Sequence, residues 1–139
     1  MSRYMLIMRS TDETWEAFKD VDFNEMLTTM GKFNDELINA GVLVAAEGLD
    51  ASKSGVVVDY SQQPPVVTDG PYGETKELFN GFWILDVASK EEAVEWAKRA
   101  PLGAGTKTEI RRVPSITEFP VDNEWIQKEK AWRESTGQL

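Results

Sequence analysis

Phe82-Trp83-Ile84-Leu85-Asp86-Val87-Ala88-Ser89-Lys90-Glu91-Glu92-Ala93-Val94 changes its period midway, and that change decides the fold. Through Val87 the run is short, apolar and rich in aromatic and β-branched residues, which predicts a strand. Ser89 with Glu92 three residues later is a capping box, the serine at N-cap and the glutamate at N3. The helix it opens runs through Ala93, Val94, Trp96 and Ala97 to Pro101, and Thr106 to Val113 predicts a closing strand. Together these make one β-α-β unit.

Working upstream, the same order recurs. Arg3-Tyr4-Met5-Leu6-Ile7-Met8-Arg9 predicts a first strand, apolar and charged at both ends. Residues 10–22 are polar around Thr14, Trp15 and Phe18 and admit a short helix or a closing loop. Phe23, Met26, Leu27, Met30, Phe33, Leu37 and Ile38 then recur at three and four, one stripe of an amphipathic helix. Asp22 can cap its start and Gly41 can end it, and Met26 and Met30 are expected in the core. Val42–Ala46 and Gly55–Tyr60 predict two strands, expected to pair as a hairpin across the turn-rich Glu47–Ser54. Gln63-Pro64-Pro65 reads as a loop and Val66–Thr68 as a short extended piece. Downstream, Asp122 to Thr136 predicts a polar helix with a solvated charged face. Its Trp125 and Trp132 are expected to dock on the body or on a partner subunit.

The order β-α-β-β-α-β with an added C-terminal helix predicts an α+β, ferredoxin-like fold with an antiparallel sheet and both helices on one face. Residues 1–119 are expected to form the domain and 120–139 a C-terminal helical extension. The strands are apolar on both faces, whereas a half-solvated antiparallel sheet would alternate. A second subunit packing sheet on sheet is the expected cover. That makes a homodimer with a closed interior, a dimeric α/β barrel-type assembly.

Composition narrows function by exclusion. The 139-residue chain contains neither histidine nor cysteine. Ser-His-Asp triads, Cys-His pairs and thiolate or imidazole metal sites are therefore excluded within it. Acid/base work falls to Asp, Glu, Lys or Tyr, and any metal would need oxygen ligands. A formal net charge of −9 disfavours nucleic acid and anionic membrane as partners. With no stretch approaching a membrane span, a cytoplasmic protein is expected. No cofactor is named by any motif; Gly103-Ala104-Gly105 lacks the third glycine and the strand-to-helix setting of a dinucleotide fingerprint.

Thr68-Asp69-Gly70-Pro71-Tyr72-Gly73-Glu74-Thr75-Lys76-Glu77 is the densest chemical stretch. Gly70 and Pro71 make a rigid turn, at whose head Asp69 suits an Asx-type turn. If the piece behind that turn is extended, Glu74 and Lys76 share a face; if it is a helical turn, Glu74 and Glu77 do. Either way a carboxylate lies near an ammonium beside an apolar strand, a setting that pushes pKa values apart. A surface ion pair at the strand entry is the plainer alternative. Arg111 and Arg112 could clamp an anionic group, though a solvated edge fits them better. For Trp15, Phe18 and Trp83, core or interface packing is the better reading than a pocket lining.

This stretch, with Asn80-Gly81-Phe82 after it, resembles the Asp-Gly-Pro-Phe signature of the YCII-related (DGPF-domain) proteins. The resemblance extends to Tyr4–Met8, Gly41–Leu43, Glu47–Leu49, Glu91–Pro101 and Glu109–Arg111, covering most of residues 1–113. It implies a dimeric ferredoxin-like fold with a pocket in each subunit and the motif residues at or near it. Tyr72 stands where that family usually has phenylalanine. Smaller relatives are thought to use a His-Asp pair, which a chain without histidine cannot have. Asp69, Glu74 and Lys76 are thus the candidate catalytic residues, and Gly70, Pro71, Tyr72, Glu77 and Arg111 the candidate substrate-binding ones.

Three functions compete. In a small enzyme, Asp69 or Glu74 would act as acid or base, while Lys76 holds the substrate or a developing negative charge. A non-catalytic module would bind a small molecule or act as a regulator through the same pocket. In a purely structural role the motif would stiffen the dimer.

Overall fold

The computed structural model describes residues 1–70 and 77–139. Among the described residues six strands and four helices succeed one another: β1 (Ser2–Ser10), α1 (Asp12–Ala17), α2 (Phe23–Asn39), β2 (Leu43–Gly48), β3 (Val56–Asp59), β4 (Val66–Asp69), β5 (Leu78–Val87), α3 (Lys90–Lys98), β6 (Thr106–Val113) and α4 (Glu124–Ser135). Short 3-10 turns at Phe18–Asp20, Ser52–Ser54 and Ile116–Glu118 complete it. The main sheet is four-stranded in the order β2-β5-β1-β6, every neighbouring pair antiparallel. With β3 and β4 set aside, this is the ferredoxin-like order expected from the sequence.

The expected hairpin between Val42–Ala46 and Gly55–Tyr60 does not form. Instead β2 pairs with β5, and β3 pairs with β4 in a separate two-stranded sheet. The physical reason is length. β5 has ten residues and can serve β1 on one edge and β2 on the other, whereas β3 offers four. The 3-10 turn at Ser52–Ser54 lifts the chain away between β2 and β3.

Local signals act as the residues dictate. The Asp22 carboxylate accepts from the Asn24 and Glu25 amides at the head of α2. Gly41, at φ 72°, ends it, with Gly41 N–H donating to Ile38 and Val42 N–H to Leu37. At α3 the Ser89 hydroxyl accepts from Glu92 N–H, and the Glu92 carboxylate accepts from Ala88 N–H rather than Ser89 N–H. The polar stretch after β1 resolves as α1, capped by Thr11.

One face of the sheet carries the core. Tyr4 and Leu6 of β1 and Trp83, Leu85 and Val87 of β5 pack with Phe33 and Leu37 of α2 and Ala93 of α3. Trp83 is 1% exposed; Phe33 meets it edge-on at 5.4 Å, and its indole N–H donates to Asn34 Oδ1 at 2.8 Å. The α2 stripe is longer than the core it serves. Met30 packs against the cluster, but Met26, expected inside, is exposed, and so are Phe23 and Leu27. Of the stripe, only Met30, Phe33 and Leu37 reach the core, since Ile38 beyond them is exposed as well.

The other face is also apolar. Met5 and Ile7 of β1 and Phe82 and Ile84 of β5 stand there side by side in register, each half-buried. The tail helix does not dock its tryptophans on the body, one of the two sites expected for them: Trp125 is 70% exposed and Trp132 54%. No helix among the described residues is long and apolar enough to cross a membrane.

Candidate functional site

The motif enters from β4, where Asp69 lies opposite Val56 at the end of the β3–β4 ladder. Gly70 comes next at φ 75°, the left-handed conformation its lack of Cβ allows. Its N–H donates to Gly55 O at 2.7 Å, one hydrogen bond beyond the ladder. Gly55 closes the Ser52–Ser54 turn, so the head of the motif is fastened to that turn. Pro71, Tyr72, Glu74 and Lys76 lie outside the described residues, as would the residues on which an Asx-type turn at Asp69 would close. The described chain resumes at Glu77 and enters β5 at Leu78.

Beside the Ser52–Ser54 turn is a cleft of about 210 Å³. Thr11, Asp12, Trp15 and Glu16 of the α1 segment form one wall, and Ala51, Ser52 and Lys53 the other, with Leu78 and Asn80 between them. Asp12 and Glu16 are four apart on α1 and so share a face. The Ser52 hydroxyl donates to Asp12 Oδ1 at 3.5 Å across the cleft. Asn80 donates its amide to the buried Ser10 hydroxyl, and its backbone carbonyl accepts from Leu49 N–H. On the far side, Thr14 hydrogen-bonds to Gly105 O and holds α1 against the loop before β6. The Lys19 ammonium, 2.6 Å from Glu16, holds that carboxyl below the usual range, and Lys53 adds to the effect.

A bulge joins this cleft to the opposite face. Between Met8 and Arg9 the β1–β5 register shifts, so Met8 faces Gly81 while Arg9 faces Phe79. Asn80 is the extra residue. Phe79 and Phe82, three apart, thereby come onto one face with their rings parallel at 6.2 Å.

Glu77, the last motif residue, belongs to that open face and not to the cleft. It pairs with Arg9 and, at 2.8 Å, with Lys107. Arg9 also donates to Glu109 at 3.0 Å, and Glu109 lies 3.8 Å from Arg111. Lys107, Glu109 and Arg111 alternate along β6 and so point the same way. The Lys107 hydrogen bond, with the Arg9 charge, holds the Glu77 carboxyl below the ordinary range. Arg112 points to the helix side and pairs with Glu118 at 2.8 Å.

The structure thus brings Glu77 and Arg111 into one ionic network, ties Asp69–Gly70 to the cleft turn, and separates the two groups. Trp15, expected in packing, stands in the cleft wall at 39% exposure. Phe18 is also exposed, while Trp83 is core as expected. Asp12, Ser52 and Lys53 carry no sequence signal of their own, because they meet only in three dimensions. The alternation Lys107-x-Glu109-x-Arg111 could have announced the ionic row. Among the described residues no cluster of carboxylates could hold a metal ion.

An uncharacterized protein of Rhizobium meliloti (strain 1021) is 24% identical over 95 residues, 68% of this chain and 77% of that protein. The model of the YCII-related domain matches residues 2–117, from the first residue of β1 through Thr117, beyond the end of β6. The chain therefore belongs to the YCII-related domain family.

Proposed function

We propose that this protein is a pocket-bearing homodimer that binds a small metabolite in the cleft between Asp12–Glu16 and Ala51–Lys53. In this reading Asp69, Glu74 and Lys76 are the acid/base residues, and Gly70, Pro71 and Tyr72 contact the substrate. One observation carries it: both described flanks of the motif lead to the cleft, Gly70 through its 2.7 Å bond to Gly55, and Leu78 and Asn80 by lining it. Residues 1–119 form the working domain and 120–139 an extension to it.

The homodimer rests on the open face. Met5, Ile7, Phe82 and Ile84 make an apolar centre beside the Arg9–Glu77–Glu109 network, the mixture that suits a self-complementary two-fold interface. Glu77 and Arg111 then serve assembly more than ligand contact. Ile84→Glu, placing a charge in that centre, should convert the dimer to a folded monomer in sedimentation equilibrium. A wild type that sediments as a monomer at high concentration ends this part of the reading.

Binding without turnover is the second reading. Glu16, the cleft carboxyl with a shifted pKa, is held ionised by Lys19, which fits ligand anchoring better than proton donation. A thermal-shift screen of metabolites against wild type, Lys76→Ala and Trp15→Phe tests both. A ligand that stabilises wild type and not either variant supports the cleft; turnover of that ligand, abolished in Glu74→Gln, supports the enzyme. A ligand unaffected by both variants sinks the cleft assignment.

A further inference from the structure

The cleft is dipolar. Among the described residues its α1 wall includes Asp12 and Glu16, the Glu16 carboxylate already paired with Lys19, and its opposite wall includes Lys53, whose charge reaches Glu16. Trp15 and Leu78 give it apolar surface, and Asn80 and Ser52 add polar groups. At one point the walls approach to a single hydrogen bond, Ser52 to Asp12. At about 210 Å³ it lies below the roughly 300–1,000 Å³ of pockets for drug-sized ligands, so its occupant is compact.

A compact anion would meet Lys53 but also the Asp12 carboxylate, and a compact cation the reverse. A molecule carrying both charges on a short carbon frame satisfies both walls at once. We infer that the cleft takes a small zwitterion of the amino-acid type, its ammonium toward Asp12, its carboxylate toward Lys53, its side chain against Trp15 and Leu78. The inference rests on the cleft being the ligand site proposed above.

The test is calorimetric titration of the full chain with the standard L-amino acids, and with the amide and the deaminated acid of whichever binds best. The zwitterion should bind about tenfold or more tighter than either single-charge analogue, the size of one charge-assisted contact. Asp12→Asn should erase the preference over the deaminated acid, and Lys53→Met the preference over the amide, with the thermal midpoint of each variant near wild type. Analogues that bind as well as the amino acid, through a signal lost in Trp15→Phe, overturn the zwitterion class and leave the cleft standing. No binding by any amino acid also overturns the class; the cleft itself then falls only if the metabolite screen finds no ligand sensitive to Trp15.

Discussion

Gly81 and Gly48 lie opposite one another across β5 and β2, and the same substitution should have opposite results at the two. A Cβ built on Gly81 would lie 2.7 Å from the Glu47 carbonyl oxygen and 2.5 Å from Met8 Cε. The methionine end can swing away, but the carbonyl belongs to the neighbouring strand. Reaching ordinary contact means opening the β2–β5 ladder by several tenths of an ångström beside the bulge. Overpacking against rigid neighbours costs about 1–3 kcal/mol, and a backbone obstacle puts Gly81→Ala in the upper half of that range. At roughly 3–4 °C per kcal/mol for a chain of this length, the midpoint should fall by about 6–12 °C. A Cβ on Gly48 meets nothing within 4 Å. Gly48→Ala should therefore be neutral or stabilise by up to about 1 kcal/mol, through lost freedom of the unfolded chain. Thermal and urea unfolding of both variants measure the difference directly. Equal midpoints for the two would refute the close approach of β2 to the bulge, and with it the account of how Asn80 is delivered to the cleft.

Glu77, Trp83 and the tail tryptophans give three more tests. Glu77 titrates below the ordinary carboxylate range in the fold, so its contribution is present above about pH 4.3 and lost as pH falls through the lowered folded value. Wild type should lose stability over that interval relative to Glu77→Gln, and the gap should shrink in high salt; parallel pH profiles would dismiss the Arg9–Glu77–Lys107 network. Trp83→Phe removes the indole bond to Asn34 and part of a fully buried ring, and should cost about 2–4 kcal/mol by urea denaturation. Trp125→Ala and Trp132→Ala, on an exposed helix face, should each change monomer stability by less than about 0.5 kcal/mol, and a larger loss would mean the tail is packed.

The fold was legible where local chemistry and global packing agree. Asp22, Gly41 and Ser89 mark helix ends by hydrogen bonds that each residue makes within a few positions of itself, and those marks survive folding. Strand partners are another matter. Val42–Ala46 and Gly55–Tyr60 lie close in sequence, and a hairpin is the default for neighbours. The choice of β5 for β2 depends on the length of β5 and on the Ser52–Ser54 turn, neither of which enters the periodicity of the two strands. The exposed Met26 has the same origin, since helical period says which residues share a stripe and not how far along it the sheet extends. Of the site, the motif's position was legible and its surroundings were not. Asp12, Ser52 and Lys53 meet only because β3–β4 folds off the sheet and returns the chain beside α1.

The bulge at Asn80 explains how one short stretch serves two faces. A regular strand would alternate Glu77, Phe79 and Gly81 on one side and Leu78, Asn80 and Phe82 on the other. The extra residue resets that alternation: Glu77, Phe79 and Phe82 stand on the open face, Leu78 and Gly81 on the core side, and Asn80 beside the cleft. Residues that would meet a partner subunit and residues that line the cleft are thus consecutive in sequence and rigidly related. Any shift at the open face that moved β5 along β1 would move Asn80 and Leu78 with it. If the open face is the dimer seam proposed above, assembly and cleft shape are linked through the register shift between Met8 and Arg9. An open-face substitution such as Ile84→Glu should alter ligand affinity in the cleft as well as association, even though Ile84 does not line it.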